Sequence, residues 1–259
     1  MKIRTLLILM ILLFGLGNTS RADKIIHNGV TYELYGYPLQ FNSRFTGWKI
    51  KPIFGEDAND KVFAAFDAVP YNCTWIVQNN HLYLQSIRGK NAAVDLQAIF
   101  SENFDNGLVL ADWIDTILYA PYGKMLCSWG VSLFESTFEY ELAFKISKGE
   151  VLSVEKCDNT KTKPLKDDRH LQVLIQNNIN WENLPKSDSI KRKVYVQVLS
   201  ADSLGKIDSV RIVKGVNTSY DREAIRVVKS IPDWPVIYRH GKVFSLWTHP
   251  INFGKRDKN

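Results

Sequence analysis

The stretch from Phe138 to Val154 constrains this chain more than any other. Phe138-Glu139-Tyr140-Glu141-Leu142-Ala143-Phe144-Lys145-Ile146 alternates between two sets of side chains, with Glu and Lys on one face. That period of two is the signature of a strand with one covered face. Lys148-Gly149 then turns the chain into Val151-Leu152-Ser153-Val154, so the segment must build sheet. A second hairpin is predicted where Trp75-Ile76-Val77-Gln78 and Leu82-Tyr83-Leu84-Gln85 flank Asn79-Asn80-His81. Gly29 to Tyr35 is rich in β-branched and aromatic residues. Asp112 to Tyr119 reads as a strand that stops at Pro121-Tyr122-Gly123-Lys124, and one short helix is expected around Ala92–Phe100. Strands at this spacing predict that residues 23–156 form a mainly β domain, a sandwich or a partly open barrel.

The N-terminus carries a different signal. Lys2 and Arg4 precede an uncharged run from Leu6 to Gly17, followed by Asn18-Thr19-Ser20-Arg21-Ala22. Cations, a short apolar run and a small-x-small pair (Ser20, Ala22) are the layout of a secretory signal peptide, so residues 1–22 are expected to leave with cleavage after Ala22. No cysteine lies near that bond to take a lipid. The competing reading is an uncleaved single anchor over residues 3–17, facing the periplasm from the inner membrane. No run reaches the roughly 18 apolar residues of a membrane-spanning helix, which excludes a polytopic membrane protein.

Charge is unevenly spread. Residues 23–184 hold 15 basic and 20 acidic side chains, net −5, while residues 185–259 hold 15 and 7, net +8. The split suggests two parts with different surfaces. For an exported protein the basic part fits an acidic partner, a membrane face or a solvated surface better than a nucleic acid. Residues 157–168 are polar and contain Pro164, and are expected as a linker.

Residues 169–259 change period. Leu171, Leu174, Ile175 and Ile179 fall at helical spacing, and Val194, Val196 and Val198 alternate in a strand. Ile207, Val210 and Ile212 mark a second strand that ends at Lys214-Gly215. Asp221 is placed to cap a helix with Ala224, Ile225, Val227, Val228 and Ile231 on one face, stopped by Pro232. Val243 to Phe253 reads as a last strand. The overall expectation is an α+β chain, its C-terminal unit a helix packed on a three-stranded antiparallel sheet.

These C-terminal residues resemble the C-terminal domain of TonB-family proteins, as found in the Bacteroidota. The resemblance is carried by Val194 to Leu199, Gly205-Lys206-Ile207, Val210 to Val216, Tyr220 to Val228, Ile231-Pro232-Asp233-Trp234, Gly241-Lys242-Val243 and Pro250 to Phe253. Its domain-defining positions are Gly205, Gly215, Asp221, Ala224, Pro232, Trp234, Gly241, Pro250 and Phe253. The resemblance implies a non-enzymatic cell-envelope protein that binds a protein or peptide partner by strand addition, an outer-membrane transporter being one such partner. It implies a receiving edge at Val243, Phe244, Ser245, Leu246, Trp247 and Thr248. That edge could instead be covered by a second copy of the chain as a homodimer. A TonB energy transducer has a membrane anchor and a long Pro-rich spacer; here a β domain stands in the spacer's place, and Pro235-Val236-Ile237 replaces the family's Pro-Gly loop.

Motifs for catalysis are sparse. His27, His81, His170, His240 and His249 show no metal-ligand spacing, and there is no nucleophile elbow, P-loop or dinucleotide fingerprint. Cys127-Ser128 with His81 and Asp112 makes a nucleophile set only by free choice of residues. Cys73, Cys127 and Cys157 lack a C-x-x-C pair, and no disulfide is assigned. No cofactor or metal is expected. Trp48, Trp75, Trp113 and Trp129 either line a ligand groove or, more simply, build a β core.

Overall fold

The structure is a computed structural model and describes residues 22–43, 71–89, 93–130, 132–165, 167–185, 191–202, 206–232, 234–244 and 248–254. The expected leader, residues 1–21, lies outside them. The chain packs as two units, residues 1–120 with 144–154, and residues 121–143 with 155–259.

The larger sheet is built on hairpins. β1 (Lys24–His27) pairs antiparallel with β2 (Val30–Glu33), and β3 (Tyr71–Gln78) with β4 (His81–Gly89). β5 (Phe104–Asp105) pairs with β6 (Leu108–Leu110), which pairs with β4. β7 (Thr116–Ser128), β8 (Ser136–Ser147) and β9 (Glu150–Asp158) complete one nine-stranded sheet. Along its main path the order is β2-β1-β3-β4-β9-β8-β7. The two-residue turns are of one kind. Asn28-Gly29, Asn79-Asn80, Asn106-Gly107 and Lys148-Gly149 all hold positive φ at both positions, which matches the right-handed twist of the strands they join.

The expected fold class is corrected here. Among the described residues the chain is mostly β, 50% strand against 20% helix, and its dominant element is a large mixed sheet. The sheet is mixed because β1 runs parallel to β3, with Ile25 opposite Trp75. It ends in β2 on one side and β7 on the other, so it is neither a sandwich nor a partly open barrel. Ile25, Leu34, Leu39, Trp75, Leu82, Leu84, Val109 and Phe144 are fully or almost fully buried, each contributing about 1.5–3 kcal/mol. Trp75 meets Trp113 edge-on at 6.4 Å, and Trp113 stacks on Phe100 at 5.5 Å. These aromatics pack together as core; Trp48 lies outside the described residues.

Two local expectations also change. The helix α1 spans only Leu96–Ile99, with Asp95 accepting from the Gln97 and Ala98 N–H groups. β7 does not stop at Pro121. Gly123, at φ +83, bends the strand as a glycine bulge does, and the Lys124 N–H donates to Glu139 Oε2 at 2.9 Å.

In the second unit, β10 (Arg192–Ala201) lies between β11 (Ile207–Lys214) and β14 (His249–Phe253), all antiparallel. Helices α2 (Asp168–Asn178) and α3 (Thr218–Ser230) contact each other, and α3 packs on β10 and β11. Val194, Val196, Ala224, Val227, Val228, Trp234, Ile251 and Phe253 are at most 2% exposed and form its core. Asn217, not Asp221, caps α3, accepting from Ser219 and Tyr220 N–H groups. Asp221 accepts the Val216 N–H at 2.9 Å, and a Cβ on Gly215 would sit 2.3 Å from Asp221 Oδ2, so a side chain there would displace the Asp221 carboxylate. Glu223, 2% exposed, ties α3 to the turn after α2 by accepting from Asn180 N–H at 2.6 Å and from Asn183 Nδ2 at 3.2 Å. Burial raises its pKa, but these bonds and Arg226 outweigh that and hold it below the ordinary range.

Within residues 157–168 the chain is partly tied down. β9 runs to Asp158, Asn159 is fully buried, and Lys163 exchanges two backbone bonds with Val236 at 2.7 and 3.0 Å.

The turn geometry yields a paired prediction. Gly29 and Gly149 share left-handed backbone, but only at Gly149 would a Cβ lie 3.0 Å from the Ala111 backbone. Gly29→Ala should cost about 1–2 kcal/mol for the backbone alone, and Gly149→Ala about 1–3 kcal/mol more. Urea unfolding midpoints of the two variants would show the difference.

Candidate functional site

The second unit holds a fully buried carboxylate that the strand pattern placed on a charged face. Glu141, in β8, has no exposed surface. Its Oε1 accepts Asn159 Nδ2 at 3.0 Å. Its Oε2 faces His240, accepting the backbone N–H at 3.0 Å with ring Nδ1 at 2.6 Å. Asn159 in turn bonds the Phe138 carbonyl at 3.2 Å and accepts the Gly241 N–H at 3.0 Å. A buried carboxylate is costly unless hydrogen bonds replace its water; here three donors from two segments do so.

What this cluster holds is the tip of a small hairpin. β12 (Tyr238–Arg239) pairs with β13 (Lys242–Val243), joined by His240 and Gly241 at φ +56 and +70. Arg239 Nη1 donates to the Phe134 carbonyl at 2.7 Å. Its guanidinium carbon lies 5.4 Å from the Phe244 ring and 5.9 Å from the Trp129 ring, and those rings are 5.9 Å apart. Glu141 therefore fixes the hairpin, and the hairpin fixes Val243 and Phe244.

Beside this hairpin lies a cleft of about 560 Å³, within the ~300–1,000 Å³ typical of ligand pockets. Trp129, Leu165, Pro235, Ile237, Val243 and Phe244 supply apolar wall, and Ser128, Gln172, Thr248 and His249 supply polar groups. Among the described residues that line it, none is Asp, Glu, Lys or Arg. The cleft suits a neutral, largely apolar guest.

The residues expected to receive a partner are partly here. Val243, Phe244 and Thr248 line the cleft, while Ser245, Leu246 and Trp247 lie outside the described residues. Of these, Val243 and Phe244 already use main-chain groups within the hairpin. Val243 pairs back onto Tyr238, and the Phe244 N–H donates to the Ile237 carbonyl at 2.7 Å. The three-stranded sheet has two edges, β11 and β14, and β14 is blunted. Pro250, opposite Tyr195, has no N–H to offer, and the Asn252 carbonyl accepts Gln176 Nε2 from α2 at 2.7 Å.

Of the domain-defining positions, Gly205 lies outside the described residues. Gly215 and Asp221 make the close contact above. Ala224 is buried in α3, and Pro232 follows that helix. Trp234 is buried and meets His249 edge-on at 5.1 Å. Gly241 forms the hairpin turn, Pro250 blunts β14, and Phe253 packs on Tyr220 at 5.1 Å. Each of these serves folding.

Other chemistry is not assembled. Cys127 lines the cleft, but burial pushes its thiol pKa up; burial and then Glu141 do the same to Cys157. His81 and Asp112 belong to the first unit and Cys127 to the second. All three cysteines are free. Among the described residues no group of three or more His, Cys, Asp or Glu is placed to hold a metal ion. Glu141, Asn159 and His240 were not singled out by the sequence; the turn-forming His240-Gly241 pair was the one local signal available.

No protein-family model, no curated protein and no solved structure matches this chain.

The cluster predicts a graded stability series. Glu141→Ala leaves Asn159 and His240 without their acceptor and should lower unfolding free energy by about 3–5 kcal/mol. His240→Asn keeps a residue that tolerates left-handed backbone and should lose only about 1–2 kcal/mol. Equilibrium urea unfolding of the full chain measures both.

Proposed function

We propose that the chain is an exported, non-enzymatic protein of the cell envelope that captures a short apolar segment of a protein partner. The observation that carries this reading is the cleft beside the β12–β13 hairpin, with Val243, Phe244 and Thr248 on its wall. Its neutral lining recognises apolar side chains, and Gln172, Ser128 and Thr248 offer hydrogen bonds to a guest's backbone. Resemblance to TonB-family C-terminal domains supports the class of partner, an outer-membrane transporter among them. The mode differs from strand addition at residues 243–248. Those of its main-chain groups that are described are partly used within the hairpin, and Pro250 and Gln176 blunt the neighbouring edge. Capture is by insertion of side chains into the cleft.

Panning random peptides against the full chain tests the proposal. The expected winners are neutral apolar segments whose affinity falls about tenfold or more in Phe244→Asp, which puts a charge on the wall. Failure to select any sequence, or selected peptides indifferent to Phe244→Asp, would overturn it.

A further inference from the structure

The first strand begins beside an acid with no cation. The Asp23 carboxylate is fully buried; Oδ1 accepts the Cys73 N–H at 2.9 Å and Oδ2 accepts Trp75 Nε1 at 3.0 Å. Among the described residues it has no positively charged partner. Its own carbonyl accepts the Leu34 N–H at 2.8 Å, which anchors it in the sheet. The Cys73 thiol is a third neutral partner; a buried carboxylate with neutral donors alone is under-compensated, and a positive charge would complete it.

The bond immediately before it is the one the leader pattern marks for cleavage. We infer that Ala22–Asp23 is a processing site, and that the α-ammonium freed on Asp23 becomes the counter-ion of the Asp23 carboxylate. Hydrolysis adds water across this amide. The C–N bond breaks, the leader departs with a carboxylate on Ala22, and the Asp23 nitrogen takes up protons as an ammonium. That ammonium is attached to the same α-carbon as the side chain it neutralises. Among the bonds of Ala22, the one from Asn72 Nδ2 to its carbonyl is long, 3.4 Å. Ala22 itself is only 4% exposed, so the cut precedes folding. The inference rests on the export reading of the leader and not on the cleft, so the two fail separately.

A pH signature follows. In the uncut chain burial pushes the Asp23 pKa up to about 7. A raised folded-state pKa gives stability that is full in acid and is lost as pH climbs toward and through 7. The groups facing Asp23 are Tyr71 and Cys73 from β3. Both have pKa values raised by burial, so neither titrates in that window. An adjacent ammonium removes the loss by stabilising the charged carboxylate.

The test has two arms. Intact-mass analysis of the chain recovered from expressing cells should give a start at Asp23; a start that retains Ala22 overturns the inference. Thermal midpoints between about pH 5 and about pH 8 should stay level for a chain beginning at Asp23 with a free amine. They should fall by at least ~5 °C for a chain carrying Ala22 and one further residue. Acetylating the free amine should restore the fall, and Asp23→Asn in the extended chain should abolish it. Identical pH profiles for the free and acetylated amines would overturn the counter-ion role whether or not the Asn variant folds.

Discussion

Glu141 is the constraint from which the second unit's surface follows. Its carboxylate has no water, so donors must be brought to it, and those donors are Asn159 and both nitrogens of His240 that face it. Supplying them obliges residues after β9 to turn inward and obliges the β12–β13 hairpin to sit with its tip at β8. Once the tip is held, Arg239, Trp129 and Phe244 stack in a fixed order, and Val243 and Phe244 stand as wall. The contact between a strand and a turn 99 residues apart is thus also what shapes the cleft.

The same logic of placing polar groups explains why the cleft, rather than the β14 edge beside it, is the place for a partner. An edge is open to another strand only if its outward N–H and C=O groups are unspent. At β14 one outward donor is missing because Pro250 has none, and one outward acceptor is occupied by Gln176. In the cleft the polar groups are few and the apolar wall is continuous, so insertion of apolar side chains is favoured over main-chain pairing.

Local features were legible in the sequence and long-range ones were not. The Asn79-Asn80 and Lys148-Gly149 turns could be read because left-handed backbone is a property of the two residues themselves. The periodic faces of β10 and α3 were visible for the same reason. Pro121 and Gly123 misled, because β7 runs through both, with the Lys124 N–H held by the Glu139 side chain. The cap of α3 was misplaced by four residues, since Asp221 bonds the chain before the helix rather than its first turn. The mixed sheet was out of reach, as nothing local announces that β1 lies parallel to β3. Glu141 was read as one of a charged face, and only its distant partners reveal it as core.

Amide hydrogen exchange of the full chain, with and without a peptide selected on it, tests the central claim most directly. The account predicts slowed exchange at Trp129, at Ile237 to Phe244 and at Thr248 to Pro250's neighbours, with β11 unchanged. Slowing along β11 (Ile207–Lys214) with the cleft unaffected would mean that the partner adds to the open sheet edge, and would contradict it.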